Sequence, residues 1–270
     1  MVFEEIADIF SETSDVKLED RFGIRNPIFL CTILPIYLLV VLKIGPSLMK
    51  SRPAYQLKTY IICYNIFQVV ACVWLVGKIC SSQPPALRFW KCVVGEPGTL
   101  HRKQFDHLSI LTFWLKVTEL SETVVFVLRK KQRQVSFLHV FHHCSTVTLV
   151  YQSKFYPASS ALYPIFLNSN VHIVMYLYYL MAAVLPTKIV AKLTPLKKAI
   201  TTIQMVQFFL ILLQVVVVLI LGCYIPPLIL AMHVGIICAF FYMFYDFYQK
   251  NYKNKKQKLA SSMKKKVESN

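Results

Sequence analysis

Three histidines stand close together in one apolar stretch of the chain, in the segment His139-Val-Phe-His142-His143. At about 100° per residue of an α-helix, the three side chains share one face of that helix. Ionisable side chains inside a membrane-spanning helix are costly, so their presence indicates a functional site. Neutral imidazole acts as a nucleophile or as a general base. This face therefore predicts nucleophilic or acid–base chemistry.

The preceding apolar stretch carries Lys116, Glu119 and Glu122 at intervals of three residues. This spacing places the three along one side of a helix, where Lys116 and Glu119 are close enough to pair and so offset part of the cost of their burial. Two interpretations stay open. The pair either supports the chemistry of the histidines, or it is a buried ion pair that only fixes the packing of its helix.

The following stretch carries Asn168, His172, Tyr176 and Tyr179 on one helix face, at intervals of four, four and three residues. The hydroxyls and the amide are suited to orienting an imidazole. An aromatic belt at the membrane boundary is the alternative, because tyrosine is common there, but His172 lies near the middle of its stretch. Two later glutamines repeat the three-residue spacing: Gln204 and Gln207.

The composition identifies the class of protein that must position these side chains. The 270 residues are 56% hydrophobic and 16% charged, with a net charge of +17, whereas soluble domains have about 25% charged residues. Repeated apolar stretches of about 20 residues exclude a soluble nucleic-acid-binding protein. The sequence predicts an all-α polytopic membrane protein with seven transmembrane helices, at about 27–45, 60–77, 110–128, 134–152, 161–184, 201–221 and 225–247.

The basic residues predict the orientation of these helices. Seven spans put the two termini on opposite sides, and Lys and Arg number 20 on the C-terminal side against 9 on the other. The positive-inside rule therefore predicts a cytosolic C-terminus and a non-cytosolic N-terminus. The chain divides into three parts: an acidic N-terminal tail (1–25), a seven-helix membrane domain (26–248) and a basic cytosolic tail (249–270).

The cysteines and the histidines raise two further questions. Most of the eight cysteines fall in apolar spans and are predicted to be buried thiols. Only Cys80 and Cys92 share a predicted non-cytosolic loop, where a disulfide would be allowed although no pattern indicates one. The His-x-x-His-His pattern also occurs in membrane di-iron oxidoreductases. This chain has only one such box, so we expect no metal, while a single zinc on three histidines stays open.

Together these motifs resemble the motif set of the very-long-chain fatty acid elongases, the condensing enzymes of the endoplasmic reticulum. The resemblance runs from about Leu48 to Lys250 and is to the animal, and within it the insect, branch. The motifs are Lys116-x-x-Glu119-x-x-Glu122-Thr123, His139-x-x-His142-His143, Asn168-x-x-x-His172-x-x-Met175-Tyr176-x-Tyr178-Tyr179 and Thr201-x-x-Gln204-x-x-Gln207. The family usually has Asp where this chain has Glu122, and Met where it has Thr146. A diverged, non-catalytic homologue therefore stays open as an alternative.

The resemblance implies that a long-chain acyl-CoA condenses with malonyl-CoA to give 3-ketoacyl-CoA, carbon dioxide and CoA, with no bound cofactor. We expect His142 to carry the acyl group and His139, His143 and His172 to act as base or as hydrogen-bond donors. Soluble condensing enzymes use cysteine, but Cys144 lies about 200° from His142 around the helix. The supporting residues are Lys116, Glu119, Glu122, Asn168, Tyr176, Tyr179, Gln204 and Gln207.

Basic residues at the cytosolic ends of the spans are expected to bind the phosphates of CoA, because Arg and Lys recognise phosphate. They are Arg129, Lys130, Lys131, Arg133, Lys197 and Lys198. The resemblance also implies an enclosed acyl-chain tunnel, an endoplasmic reticulum location, a homo-oligomer, and association with the reductase and dehydratase enzymes of the elongation cycle. A transporter is disfavoured, because the chain has only 7 glycines and no duplicated motif.

Overall fold

The computed structural model describes residues 27–81, 90, 99–153, 155–156 and 158–253. Within these ranges the protein is helical and contains no β-strand, as the sequence predicts. The predicted acidic tail (1–25) and all but the first five residues of the predicted basic tail (249–270) lie outside the described residues.

Six of the nine described α-helices have 17 to 29 residues, and the other three are shorter. A π-helical turn (Val40–Ile44) joins the first two helices, and another (Gln249–Lys253) follows the last. In chain order the α-helices are α1 (Pro27–Leu39), α2 (Gly45–Leu48), α3 (Lys58–Ser81), α4 (Leu100–Leu128), α5 (Phe137–Ser153), α6 (Leu162–Val184), α7 (Thr187–Lys192), α8 (Thr194–Ile220) and α9 (Pro227–Tyr248).

Each of the seven predicted spans overlaps a long helical segment, but the segments differ in their fitness to cross a bilayer. Five are long and apolar enough: 28–48, 58–81, 162–184, 194–220 and 227–253. The third and fourth predicted spans correspond to α4 and α5, which do not meet this condition. Helix α4 carries three ionisable residues within its last thirteen, and α5 has only 17 residues. These two helices carry most of the predicted chemistry.

Three clusters of buried apolar side chains surround α4 and α5. The first joins α1 to both helices and includes Tyr37, Phe113 and Val147. The second packs α4 against α3 and α6, and the third packs α8 and α9 against α5. Because apolar neighbours cover α4 and α5 on several sides, their polar side chains face the interior of the bundle rather than lipid, which is where ionisable groups in membrane proteins are tolerated.

Gly45 allows the first helical segment to approach α4 closely. A Cβ atom at this position would lie 2.7 Å from the Val40 carbonyl oxygen and 2.8 Å from Val127 Cγ1. Gly45→Ala should therefore lower the free energy of unfolding by about 1–3 kcal/mol, as overpacking does elsewhere. Gly77→Ala is the matched control, since a Cβ there meets nothing within 4 Å. Thermal unfolding of both variants in detergent measures the difference, and equal stabilities would contradict the close approach.

The structure settles the state of most cysteines. Cys80 is a free thiol, so the disulfide to Cys92 that the sequence allows without indicating it does not form, whereas Cys223 is disulfide-bonded. Helix α8 ends at Ile220 and Gly222 adopts a left-handed φ of +79°, so Cys223 lies in a loop. Three thiols that the sequence predicts to be buried are exposed, because apolar helix faces also point outward toward lipid: Cys31, Cys63 and Cys238.

Candidate functional site

A buried ion-pair cluster joins α4 to α6. The Lys116 ammonium donates to both carboxylate oxygens of Glu119, at 2.8 and 3.1 Å, and to Asn168 Oδ1 at 2.7 Å. His172 Nδ1 lies 3.1 Å from Glu119 Oε1. Lys116, Glu119 and His172 are 5%, 0% and 4% exposed. Each charge therefore depends on its partners, because an unpaired charge at this depth is strongly destabilising.

Helical spacing explains how the cluster assembles. Lys116 and Glu119 are three residues apart on α4, and Asn168 and His172 are four residues apart on α6, so each pair occupies one helix face. The two faces meet, and Lys116 bridges the carboxylate of its own helix and the amide of the other. Asn168 thus orients Lys116 rather than a histidine, whereas Glu119 contacts His172 directly.

His142 lies where α5 faces an internal cavity. Its ring centroid is 6.4 Å from that of His172 and 5.0 Å from that of Phe240 on α9. Its Nδ1 atom is buried and has no hydrogen-bond partner within the described part of the chain. Lys116 and Asn168 line the same cavity. An imidazole with an unengaged ring nitrogen therefore lies beside a fixed positive charge.

His139 and His143 share the face of His142 but meet different neighbours. The His139 and His143 rings are 4.3 Å apart, and neither residue lines the cavity. His139 Nε2 lies 3.0 Å from Thr123 Oγ1, which is 2.7 Å from the Tyr37 hydroxyl. Tyr37 was not predicted from the sequence, because it is one of two hydroxyl-bearing residues in an otherwise apolar helix and has no periodic polar neighbours.

Glu122, the residue that departs from the resembled motif, approaches His143 rather than the cavity. Its Oε2 atom lies 4.0 Å from His143 Nε2, which is too long for a hydrogen bond but within the range of an ion pair if the imidazole is protonated. Glu122 is half-buried and His143 is buried. Glu122 therefore lies beside His143, on the side of α5 that meets α4.

Of the two predicted tyrosines, one belongs to the cluster and the other lies at its edge. Tyr176 is fully buried, and its ring centroid is 5.5 Å from that of His172. Its hydroxyl lies 3.4 Å from the Tyr64 hydroxyl on α3. Tyr179 is 36% exposed and contacts Tyr176 through its ring. The polar stripe of α6 therefore ends at Tyr176.

Of the two predicted glutamines, one lines the cavity and the other does not. Gln207 is 4% exposed and lines the cavity, and its Oε1 atom has no hydrogen-bond partner among the described residues. Gln204 points elsewhere, with its Nε2 atom 3.8 Å from the Met175 sulfur on α6. Only Gln207 is therefore placed to meet a molecule in the cavity.

The cavity runs between α4, α5, α6, α8 and α9 and comprises about 1160 Å³ of space not filled by protein atoms, part of which is open to the outside. Most of its wall is aliphatic or aromatic, including Leu149, Ile165, Ile211 and Phe240. Four polar residues occupy one region of it: Lys116, His142, Asn168 and Gln207. This combination of a long apolar wall and a reactive polar head suits a molecule with an acyl chain and a polar end.

The predicted phosphate-binding residues lie at helix ends. Lys130, Lys131 and Arg133 are exposed and Arg129 is half-buried in the connection between α4 and α5. Lys197 and Lys198 are exposed in the first turns of α8. Lys198 Nζ lies 5.5 Å from the ring centroid of Tyr248 at the end of α9. These contacts leave most of the basic side chains accessible from outside the bundle.

A metal ion at this site would need several converging ligands. Across the described ranges, no three or more His, Cys, Asp or Glu side chains converge in an arrangement that could hold a metal ion. The histidine rings instead contact aromatic rings, a threonine and carboxylates.

The fold and the site define an all-helical membrane protein with a buried histidine and ion-pair cluster at the head of an apolar cavity. Comparison with known proteins identifies the family. The pattern of the ELO: GNS1/SUR4 family matches residues 22–260, and the chain belongs to this family.

Relatives from vertebrates and insects agree with this assignment. The chain is 31% identical over 220 residues to very long chain fatty acid elongase 1 of Mus musculus, which covers 78% of this chain and 77% of the relative. It is 38% identical over 189 residues to very long chain fatty acid elongase F of Drosophila melanogaster, covering 68% and 72%. The corresponding protein of Drosophila simulans is 36% identical over 190 residues, covering 68% and 71%.

Proposed function

We propose that this protein catalyses the condensing step of very-long-chain fatty acid elongation. A long-chain acyl-CoA and malonyl-CoA would give 3-ketoacyl-CoA, carbon dioxide and free CoA. The observation that carries the proposal is the position of His142, which lies where the apolar cavity meets the Lys116 cluster. The names of the family relatives support fatty acid elongation as the process.

In the first step, the His142 ring attacks the thioester carbonyl of the acyl-CoA. A carbon–nitrogen bond forms, the carbon–sulfur bond breaks, and CoA leaves as a thiol after accepting a proton that came from the His142 ring. His172 is the nearby base. Its Nδ1 donates a hydrogen bond to the Glu119 carboxylate, which only accepts, so the lone pair of Nε2 remains for the proton.

In the second step, malonyl-CoA loses carbon dioxide and becomes an enolate. The enolate carbon attacks the acyl carbon, a carbon–carbon bond forms, and the carbon–nitrogen bond to His142 breaks. The departing ring nitrogen takes up one proton from solvent, relayed by His172, which regenerates the neutral imidazole, so each condensation consumes one proton. Negative charge builds up on oxygen in both steps. The Lys116 ammonium is held at the cavity wall by Glu119 and Asn168, so it supplies a pre-oriented positive charge for that oxygen.

A single-turnover experiment tests the covalent route. The purified protein is mixed with one equivalent of acyl-CoA and no malonyl-CoA, and free CoA is measured with time. We expect about one equivalent of CoA per active site, together with a mass increase equal to one acyl group. If no CoA is released before malonyl-CoA is added, but product forms after it is added, the reaction is a direct condensation and no acyl-imidazole is formed.

We also propose that the basic residues at the helix ends bind the CoA phosphates. Reversing the charge at Arg129, Lys130 and Lys131 to Glu should raise the apparent KM for acyl-CoA about tenfold or more, because charge-assisted phosphate contacts are lost. The same reversal at Lys188 and Lys192 on α7 is the matched control. Steady-state kinetics measures the apparent KM of both variants. If the charge reversal at 129–131 leaves the KM unchanged, these residues only determine the orientation of the protein in the membrane.

Two features support the orientation proposed for the protein, with a lumenal N-terminus and a cytosolic C-terminus in the endoplasmic reticulum membrane. The first is the excess of basic residues on the C-terminal side. The second is the disulfide at Cys223 in the α8–α9 connection, which lies on the opposite side if seven helices cross. Disulfides persist in the lumen and are rare in the cytosol.

The remaining partners follow from the chemistry of the product. A 3-ketoacyl-CoA must be reduced, dehydrated and reduced again before another elongation round can begin. We propose that the protein works beside the reductase and dehydratase enzymes that carry out these reactions, and that it forms a homo-oligomer. Co-purification from the native membrane with mild detergent tests both associations.

A further inference from the structure

The end of the cavity remote from the Lys116 cluster carries polar groups that the condensation does not use. They come from the end of α5, the connection to α6, and helices α8 and α9. Four are nine-tenths or more buried and one, His233, is partly buried. All five line the cavity: Gln152, Tyr156, Ser160, Gln214 and His233.

Some of these groups satisfy one another. Gln214 Nε2 donates to the Ser160 carbonyl oxygen at 2.9 Å. The Tyr156 hydroxyl lies next to Ser160 but is buried without a hydrogen-bond partner among the described residues. Gln152 is also unsatisfied. Its Nε2 atom has only a long contact of 3.8 Å to the Met232 sulfur, and its Oε1 atom is buried without a hydrogen-bond partner in the part of the chain described.

An unsatisfied amide at an apolar wall is costly, since a buried polar group without a hydrogen bond loses its solvation and gains nothing in return. The terminal torsion of glutamine is broad, so either end of the amide can turn toward the cavity. Gln152 can therefore donate to or accept from one oxygen atom of a bound molecule. The free-energy cost of its burial is then offset only when that oxygen is present.

The distance from His142 sets where such an oxygen would lie. Gln152 follows His142 by ten residues on the same helix, which is about 15 Å along its axis. An extended hydrocarbon chain advances about 1.3 Å per carbon–carbon bond, given ordinary bond lengths and angles. We propose that the remote end of the cavity is a subsite for a hydroxyl or keto oxygen carried on the acyl chain, about twelve bonds from the carbonyl held by His142.

This inference rests on the proposed function, because it takes the acyl carbon to lie at His142. The chemistry of the wall restricts the class of substrate. No Lys, Arg, Asp or Glu among the cavity-lining residues accompanies the five polar groups, since Lys116 is at the opposite end. A neutral oxygen finds partners there, whereas an ω-carboxylate would be buried without a counter-charge.

Acyl-CoA substrates of equal length test the inference. Stearoyl-CoA is compared with 18-carbon acyl-CoAs that carry one hydroxyl at carbon 3, 12 or 14, by measuring kcat/KM for condensation with malonyl-CoA. We expect a preference of about tenfold for the 12- or 14-hydroxy substrate, which is the discrimination that one buried hydrogen bond gives. Gln152→Met, which conserves volume and removes the amide, should abolish the preference.

Gln68→Met is the matched control. Gln68 is fully buried and its Oε1 also lacks a partner among the described residues, but Gln68 lies on α3 away from the cavity. Its replacement should leave the ratio between the substrates unchanged. An equal preference for all four substrates, or the same ratio in Gln152→Met as in the native protein, overturns the inference and means that only water occupies the polar end.

A binding measurement separates this result from failure of the proposed function. The same acyl-CoAs are added to the protein without malonyl-CoA, and the shift of the thermal unfolding midpoint is recorded. If no substrate condenses but the 12- or 14-hydroxy compound stabilises the protein more, the proposed reaction fails and the subsite stands. If stearoyl-CoA condenses while the shifts are equal, the subsite fails and the reaction stands.

Discussion

Replacing His142 by alanine is expected to lower the rate of condensation by at least a factor of about a thousand, as removal of a nucleophile does in other enzymes. The acylated form of the protein should also disappear. Folding should be retained, because His142 Nδ1 makes no hydrogen bond within the described residues. The rate is measured as ketoacyl product formed from radiolabelled malonyl-CoA, and acylation is measured by mass spectrometry of the intact protein.

Cys144→Ala is the control for this experiment, because cysteine is the acyl carrier of soluble condensing enzymes. Cys144 packs in the apolar cluster with Tyr37 and Val41, away from the cavity, so the variant should keep its acylation and most of its rate. If His142→Ala is still acylated and Cys144→Ala is not, the nucleophile is the Cys144 thiol and not the His142 ring.

The second large effect is expected at Glu119. Glu119→Gln removes the charge that Lys116 faces at 2.8 Å and leaves a buried ammonium without a carboxylate. Breaking a buried ion pair by removing one partner costs about 3–5 kcal/mol of stability. The variant should therefore unfold at a lower temperature in detergent. It should also lose activity, because an amide can donate as well as accept and so no longer fixes the His172 tautomer as the acceptor-only carboxylate does.

A double variant separates the two roles of this cluster. Lys116→Met combined with Glu119→Leu removes both charges and keeps the volume, a change that is often neutral or stabilising for buried ion pairs. We expect stability near that of the native protein and no condensation. Normal condensation in the double variant would mean that the pair only fixes helix packing, which is the alternative that the sequence leaves open.

The spacing of residues along single helices is the part of the site that the sequence predicts well. Lys116 pairs with Glu119 because they are three residues apart on α4, and no knowledge of other helices is needed to expect it. The sequence also predicts the class of fold well, since long apolar segments that cross a bilayer form helices. Both follow from local geometry and composition.

Contacts between helices are the part that the sequence does not predict. His139 and His142 share a face, yet one meets Thr123 and Tyr37 while the other meets the cavity and Phe240. The difference of about 60° between them decides which neighbour each meets, and that depends on how the helices pack. Gln152 was missed for the same reason, because a single glutamine near a helix end gives no periodic signal.

The low hydropathy of α4 and α5 has a consequence for the order in which the protein is made. The helices that carry the chemistry are the ones least able to enter a bilayer alone, whereas α1 and α3, which precede them, are strongly apolar. Lys116 also has to await Asn168, which the ribosome adds 52 residues later. During synthesis the early helices must therefore shield the Lys116–Glu119 pair from lipid until α6 adds Asn168 and His172. Helix α6 thus completes the cluster and also covers it.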